Sequence, residues 1–294
     1  SPHNSSSLER EEGELLPDVL PGVIIDAMEA TLALGYRYLW ADQLCIDQNN
    51  REEVADQVGK MDKIYRCAVL TIVSVSERGG LPGTTSLERT ESPIVDMEHT
   101  SFFVAKLEPI VDIQNSIWFT RGWCYQEEML SRRILYFTES GALFKCSSML
   151  CHEVIAGPEL LEEPGTSFVS PSFISTKGRQ NSKSLLDKCL SGDSDPSSTV
   201  STARRIIEEF SKKKLSFDVD SLNAVTGVLS MFGSLPLPVR FCQGLPISET
   251  VLCQFDNGVF LDSLCWFHLE PTSAFRRDHL PSWSWAGWNG MISW

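Results

Sequence analysis

Trp118-Phe-Thr-Arg-Gly-Trp-Cys-Tyr-Gln-Glu127-Glu-Met-Leu-Ser-Arg-Arg-Ile-Leu-Tyr-Phe137 runs from a helix into an apolar strand. Residues four apart on a helix share a face, so the Glu127 carboxylate is expected to lie over Trp123. An acid against an aromatic wall suits acid chemistry, and it equally suits anchoring a helix. The surrounding chain has to decide.

Working outward, helix and strand alternate. Ile24, Met28 and Leu32 repeat at helical spacing over 23–34, and Gly35 is placed to end that helix. Residues 38–41, Tyr-Leu-Trp-Ala, read as a short strand running into Asp42. Asn50 is placed to cap a second helix with Glu53 at the capping-box position, and Val54, Val58, Met61 and Tyr65 form its buried stripe. The β-branched run 68–75 suits a strand covered on both faces. A Gly/Pro/Ser/Thr-rich loop follows over about 79–93, and the series closes with the Trp123 helix and a strand over 133–137. This order predicts an α/β fold: a parallel sheet with right-handed crossovers, flanked by helices.

The domain reading is a polar leader over 1–22, the α/β core over 23–150, a Ser/Pro-rich loop or linker over 151–200, and a C-terminal α+β region over 201–294 that packs on the core. That last region is helical at about 202–214 and 220–229. It is also rich in aromatics, with four of the eight tryptophans (Trp283, Trp285, Trp288, Trp294) in the final twelve residues.

The 294 residues carry 25 basic and 39 acidic side chains, a net charge of −14. That balance argues against nonspecific binding to nucleic acid or anionic membrane, which needs a surplus of Lys and Arg. No apolar run approaches the roughly 18 residues of a membrane span. Nine cysteines, odd in number and scattered, follow an N-terminal stretch with no signal-peptide core. The expectation is reduced thiols in a cytoplasmic protein.

Asp42, Asp47 and Gln48 fall where a parallel strand would end, the place where open α/β sheets bind ligands. They either hold a sugar or orient a loop, the aspartates capping local turns and Cys45 filling core. Cys124 beside the glutamate would need a neighbouring base to serve as a nucleophile, and no histidine is tied to it by sequence, which favours a buried structural thiol. Cys146, Cys151 and His152 lack a second ligand pair at metal-like spacing, so no metal is expected. The C-terminal tryptophans stack an aromatic ligand ring or, the more usual use, fill core. Lys212, Lys213 and Lys214 read as favourable charge at a helix C-terminus.

Three blocks together resemble the fungal heterokaryon-incompatibility (HET) domain: Arg37 to Gln48 with the trailing Gln57, Met61, Ile64 and Tyr65; Arg121-Gly-Trp-Cys-Tyr-Gln-Glu127; and Pro281-Ser-Trp-Ser-Trp-Ala-Gly-Trp288. Residues 220–227 resemble a segment that often follows it. The resemblance implies a cytoplasmic protein acting in non-self recognition and regulated cell death. Trp123-Cys-x-x-Glu127 is also similar, more distantly, to the Trp-Cys-x-x-Glu of Toll/interleukin-1 receptor (TIR) domains, which implies a TIR-like sheet. In TIR enzymes the matching glutamate drives cleavage of NAD at the nicotinamide–ribose bond, so the resemblance implies Glu127, not Glu128, as the catalytic residue. HET domains usually open with a strand carrying a Ser-Tyr-x-Trp-Gly-like motif, which residues 1–22 lack.

Three functions follow as expectations. The chain hydrolyses NAD, with Glu127 as catalytic carboxylate, Asp42, Gln48, Trp123 and Arg121 on the substrate, NAD as substrate rather than cofactor, and no cofactor required. Alternatively it is a non-enzymatic module that signals by homo-oligomerisation or by docking a receptor partner. A third expectation is a pseudo-enzyme that keeps the fold without a complete cleft.

Overall fold

The computed structural model describes residues 16, 17, 19–84, 87–89, 94–97, 100–103, 109–153, 159–160, 182–192, 195–236, 238–248 and 258–294. Most of the expected leader, where the first-strand motif would fall, lies outside these residues. So do parts of the expected 79–93 loop and 151–200 linker.

Helix α1 (Gly22–Ala33) matches the periodic stretch that the sequence marks. Two short helices follow, α2 (Asp42–Cys45) and α3 (Arg51–Val58), then α4 (Met61–Cys67). Asn50 caps α3 by accepting from the backbone N–H groups of Glu52 and Glu53 at 3.1 and 3.2 Å. The expected single helix over 50–65 is split at Gly59 and Lys60, so Val54 and Val58 lie on α3 while Met61 and Tyr65 lie on α4.

Strand β1 (Thr71–Ser74) comes next, followed by the hairpin β2 (Ile94–Met97) and β3 (Thr100–Phe103), then α5 (Pro109–Asn115), α6 (Ile117–Thr120) and α7 (Gly122–Leu130). The chain then forms β4 (Arg133–Thr138), β5 (Gly141–Cys146), β6 (Met149–His152) and β7 (Glu159–Leu160). The sheet order is β1-β4-β5-β6-β7. Only β1 and β4 run parallel, with Thr71 opposite Ile134, and the remaining pairs are antiparallel.

The sheet is therefore mixed where a parallel one was expected. Two residues, Glu139 and Ser140, join β4 to β5, and a parallel crossover needs a dozen or more. The hydroxyl of Thr138 closes that turn by donating to the Gly141 carbonyl at 2.8 Å. Residues 36–41 are a second departure: they form no strand, and Tyr38 is 86% exposed. With β1 paired to β4 alone among the described strands, the expected strand over 38–41 has no partner.

Alternate residues of β4, Ile134, Tyr136 and Thr138, are buried. Ile134 and Tyr136 form one core with Val73, Ile110, Ile113, Leu143 and Leu150, against which Trp118 and Phe119 pack. A larger core joins α7 to the C-terminal half. Helix α8 (Ser182–Ser191), α9 (Pro196–Ser211), α10 (Asn223–Met231) and the hairpin β8 (Val239–Cys242) and β9 (Leu245–Ser248) bury Leu186, Ile206, Ile207, Phe210, Val225 and Leu245 against Tyr125 and Met129. Helix α8 and the first five residues of α9 occupy sequence that reads as linker, and the rest of α9 overlaps the helix expected at about 202–214. Asp195 caps α9 by accepting from the Ser198 N–H at 2.9 Å, and Pro196 takes the first helical position. Trp285 is 2% exposed and donates to the Gly244 carbonyl at 2.9 Å, so this tryptophan is core, as the packing reading expects.

Candidate functional site

Glu127 sits in the second turn of α7, and the chain enters that helix through Arg121, an extended residue that separates α6 from α7. The break lets two consecutive turns present side chains to one place. The Glu127 side chain is half-buried. Its carboxylate accepts hydrogen bonds from the Tyr65 hydroxyl on α4 and from the Trp118 indole N–H on α6, beside the Arg121 guanidinium. The Asp42 carboxylate at the start of α2 lies close enough to repel it.

Burial dominates this balance and raises the Glu127 pKa above the ordinary carboxylate range, with Asp42 adding to the shift. The two donors and Arg121 oppose it. Burial likewise raises the Tyr65 hydroxyl, helped by Glu127 and Asp42. The Cys124 thiol, 2% exposed, is raised by burial and then by Glu127. A thiol held protonated is a poor nucleophile, so Cys124 fits the structural reading.

The next residue has the opposite setting. Glu128 forms an ion pair with Lys145 on β5 at 3.0 Å, with side-chain exposures of 8% and 9%. Burial raises its pKa, but Lys145, Lys183 and Lys213 together bring it below the ordinary value. Lys183, from α8, donates to the carbonyls of Glu128 and Ser131 at the end of α7, at 2.7 and 2.5 Å.

The expected substrate residues divide. Asp42 and Arg121 share the surroundings of Glu127. Asp42 also accepts from the Gln43 N–H at 2.7 Å, a local turn contact. Gln48 folds back: its amide donates to the carbonyls of Asp42 at 3.0 Å and Ile46 at 3.3 Å, closing the loop around α2. Asp47 accepts from the Asn49 N–H at 2.9 Å, as its turn-capping reading expects. Trp123 turns elsewhere, its indole N–H donating to Asp220 at 3.2 Å and its ring packing on the C-terminal core. The aromatic groups on Glu127 are thus Tyr65 and Trp118, not the residue one turn back.

Two further expectations are corrected. Cys45 is exposed rather than core. Lys213 does more than favour the end of α9: its ammonium donates to the Phe119 carbonyl at 2.7 Å and lies 3.7 Å from the centre of the Phe119 ring. The backbone of Lys214 continues this contact, donating to the Thr120 carbonyl and accepting from the Gly122 N–H at 2.6 and 2.8 Å. The start of α7 is therefore fastened to the C-terminal half.

Sequence reading missed Tyr65 and Trp118 as neighbours of Glu127. Helical spacing places Tyr65 in a buried stripe, and a partner 62 positions away leaves no local signal. Trp118 lies beyond the break at Arg121, where helical spacing stops applying. Among the described residues no group of three or more His, Cys, Asp or Glu is arranged to hold a metal ion. No helix of the described residues is long and apolar enough to cross a membrane.

The family described as heterokaryon incompatibility protein (HET) has a model that matches residues 3–127. This N-terminal part of the chain carries the HET domain, and the match ends at Glu127, inside α7. The domain points to a function related to heterokaryon incompatibility. No curated protein and no solved structure matches the chain.

Proposed function

We propose that this protein is an effector of fungal non-self recognition and regulated cell death that acts by hydrolysing NAD at the nicotinamide–ribose bond. The observation that supports the reading is the setting of Glu127: a half-buried side chain whose carboxyl group is held by the neutral donors Tyr65, Trp118 and Cys124 and flanked by the second carboxylate of Asp42 and the cation of Arg121. The HET domain and the Trp-Cys-x-x-Glu likeness to TIR enzymes point the same way.

Breaking the bond transfers its electron pair to the nicotinamide nitrogen and leaves positive charge on the ribose, as in glycoside hydrolysis. Water adds to the ribose carbon, nicotinamide departs neutral, and ADP-ribose and a proton complete the balance. Glu127, in its ionised form, stabilises the ribose cation. Asp42 takes the ribose hydroxyls, and Arg121 faces the pyrophosphate. Gln48 shapes the loop that carries Asp42, and Trp123 braces α7 against the C-terminal half rather than meeting the ring. The test is nicotinamide release at high protein concentration, compared between the parent and Glu127→Gln, since related folds act as assemblies.

A specific observation favours a second reading, docking or self-association without catalysis. Leu32 is 70% and Tyr38 86% exposed, with Leu34 and Tyr36 also exposed nearby. Contiguous exposed apolar residues mark interaction surfaces. On that reading no nicotinamide appears at any concentration, and Glu127→Ala is strongly destabilising.

A further inference from the structure

The hairpin of β5 and β6 gathers three sulfur atoms on one face of the sheet. Leu143 stands opposite His152, Phe144 opposite Cys151 and Lys145 opposite Leu150. One step further, the same register sets Cys146 opposite Met149 across the turn at Ser147 and Ser148. Facing residues of an antiparallel pair share a face, and so do alternate residues of one strand. Cys146, Met149 and Cys151 therefore stand together. All three are half-buried, whereas Lys145, Leu150 and His152 on the opposite face are buried.

The Cys151 and Met149 sulfurs are 3.8 Å apart. Two sulfurs bound to one ion at about 2.3 Å each stand roughly 4 Å apart, so this pair already has the separation of two ligands. The Cys146 sulfur lies 3.6 Å from the Ser148 hydroxyl, and the Cβ atoms of facing residues are about 4.5–5.5 Å apart, which puts it within reach of the Met149 sulfur. Both cysteines are free thiols. Arg133 on β4 stands opposite Cys146, on the same face. Two thiolates around a monovalent cation leave one net negative charge, which that guanidinium balances. His152 faces the other way, so the donor set is sulfur alone. Zinc takes thiolate, imidazole and carboxylate ligands, usually four of them. Three sulfurs, one of them a thioether, suit Cu(I).

We propose that Cys146, Met149 and Cys151 form a binding site for a soft monovalent cation, Cu(I), held by two thiolates and one thioether beside the turn that joins β5 to β6. The site uses none of the residues around Glu127 and is independent of the NAD reading. On binding, each thiol gives its proton to water and its sulfur lone pair to the metal, and Met149 gives a lone pair with no proton lost. Two protons leave for each Cu(I) bound, so the affinity rises with pH.

The experiment titrates Cu(I) anaerobically, in competition with bathocuproine disulfonate, into the full chain carrying Cys45→Ser, Cys67→Ser, Cys242→Ser, Cys253→Ser and Cys265→Ser. That background keeps the two proposed cysteine ligands and the buried Cys124 and Cys189. One Cu(I) per chain is expected. Adding Cys146→Ser and Cys151→Ser together is expected to abolish this binding. Adding Met149→Leu, which keeps the apolar bulk and removes the sulfur, is expected to weaken it by at least the roughly tenfold that losing an outer-shell partner costs. Failure of the folded background to take up one equivalent overturns the proposal. Retention of that equivalent by the double serine variant, or an unchanged affinity in Met149→Leu, overturns it equally. If the serine background does not fold, the change in affinity on Met149→Leu in the parent chain decides alone.

Discussion

Glu127 and Glu128 are consecutive on α7 and occupy opposite electrostatic settings. Glu127 is raised by burial among neutral donors, while Glu128 is lowered by its 3.0 Å pair with Lys145 and by two further lysines. The contrast separates two roles that the sequence leaves entangled. Glu128 ties the helix to the sheet, which frees Glu127 from that task.

Stability should respond with opposite signs. The folded Glu127 pKa is raised, so the native state favours the protonated form, and stability falls as pH rises from the ordinary carboxylate range through the folded value. Above the ordinary range the buried carboxyl weakens the fold relative to the unfolded chain, and Glu127→Gln is expected to leave Tm unchanged or higher. Glu128 is lowered, so its contribution is present above the ordinary value and lost as pH falls through the folded one. Glu128→Gln removes the buried ion pair with Lys145 and is expected to cost about 3–5 kcal/mol. Thermal and urea melts of both variants check this.

Lys183 gives a pH dependence at the alkaline end. Burial and the neighbouring Lys145 push its pKa from 10.5 down to about 8. The native state therefore binds this proton less tightly than the unfolded chain. The penalty for burying the charge is fully present below about 8 and is relieved as pH rises from there toward 10.5. Lys183→Met is expected to flatten that rise in stability, measured by urea midpoints between pH 7 and 10. A slope identical to the parent's would show that Lys183 is not the group responsible.

Gly227→Ala sets two effects against each other. Alanine gains about 1 kcal/mol of helix propensity over glycine. Here its Cβ would enter the crossing of α10 with α7 and α4, 2.7 Å from Gln126 Oε1. Overpacking of this kind costs about 1–3 kcal/mol, so net destabilisation is expected, seen as a lower urea midpoint.

Two tryptophans should separate chemistry from packing. Trp118→Phe removes a donor from Glu127 and is expected to lower turnover and raise the Glu127 titration midpoint. Trp123→Phe removes the bond to Asp220 at 3.2 Å and is expected to lower stability by about 0.5–1.5 kcal/mol without moving that midpoint. The reverse pattern would return the aromatic partner of Glu127 to position 123.

Local rules carried the sequence reading as far as local chemistry reaches. Helix α1, the Asn50 cap, α7 and β4 follow from periodicity and capping, and all four are present. The antiparallel half of the sheet turns on the short link at Glu139 and Ser140, a feature that an alternating helix–strand scheme overlooks. The start of α9 was hidden because Asp195 and Pro196, a cap and a first-turn proline, look like loop residues in a serine-rich context. The surroundings of Glu127 depend on Asp42, Tyr65 and Trp118 converging from separate elements. Spacing along the chain carries no record of such convergence.

Nicotinamide release from NAD, followed at high protein concentration for the parent and Glu127→Gln side by side, tests the central claim most directly. The account expects release by the parent and a loss of about 10²- to 10⁴-fold in a variant that melts no lower than the parent. Equal release by the two proteins, or none from a folded, concentrated parent, would contradict it.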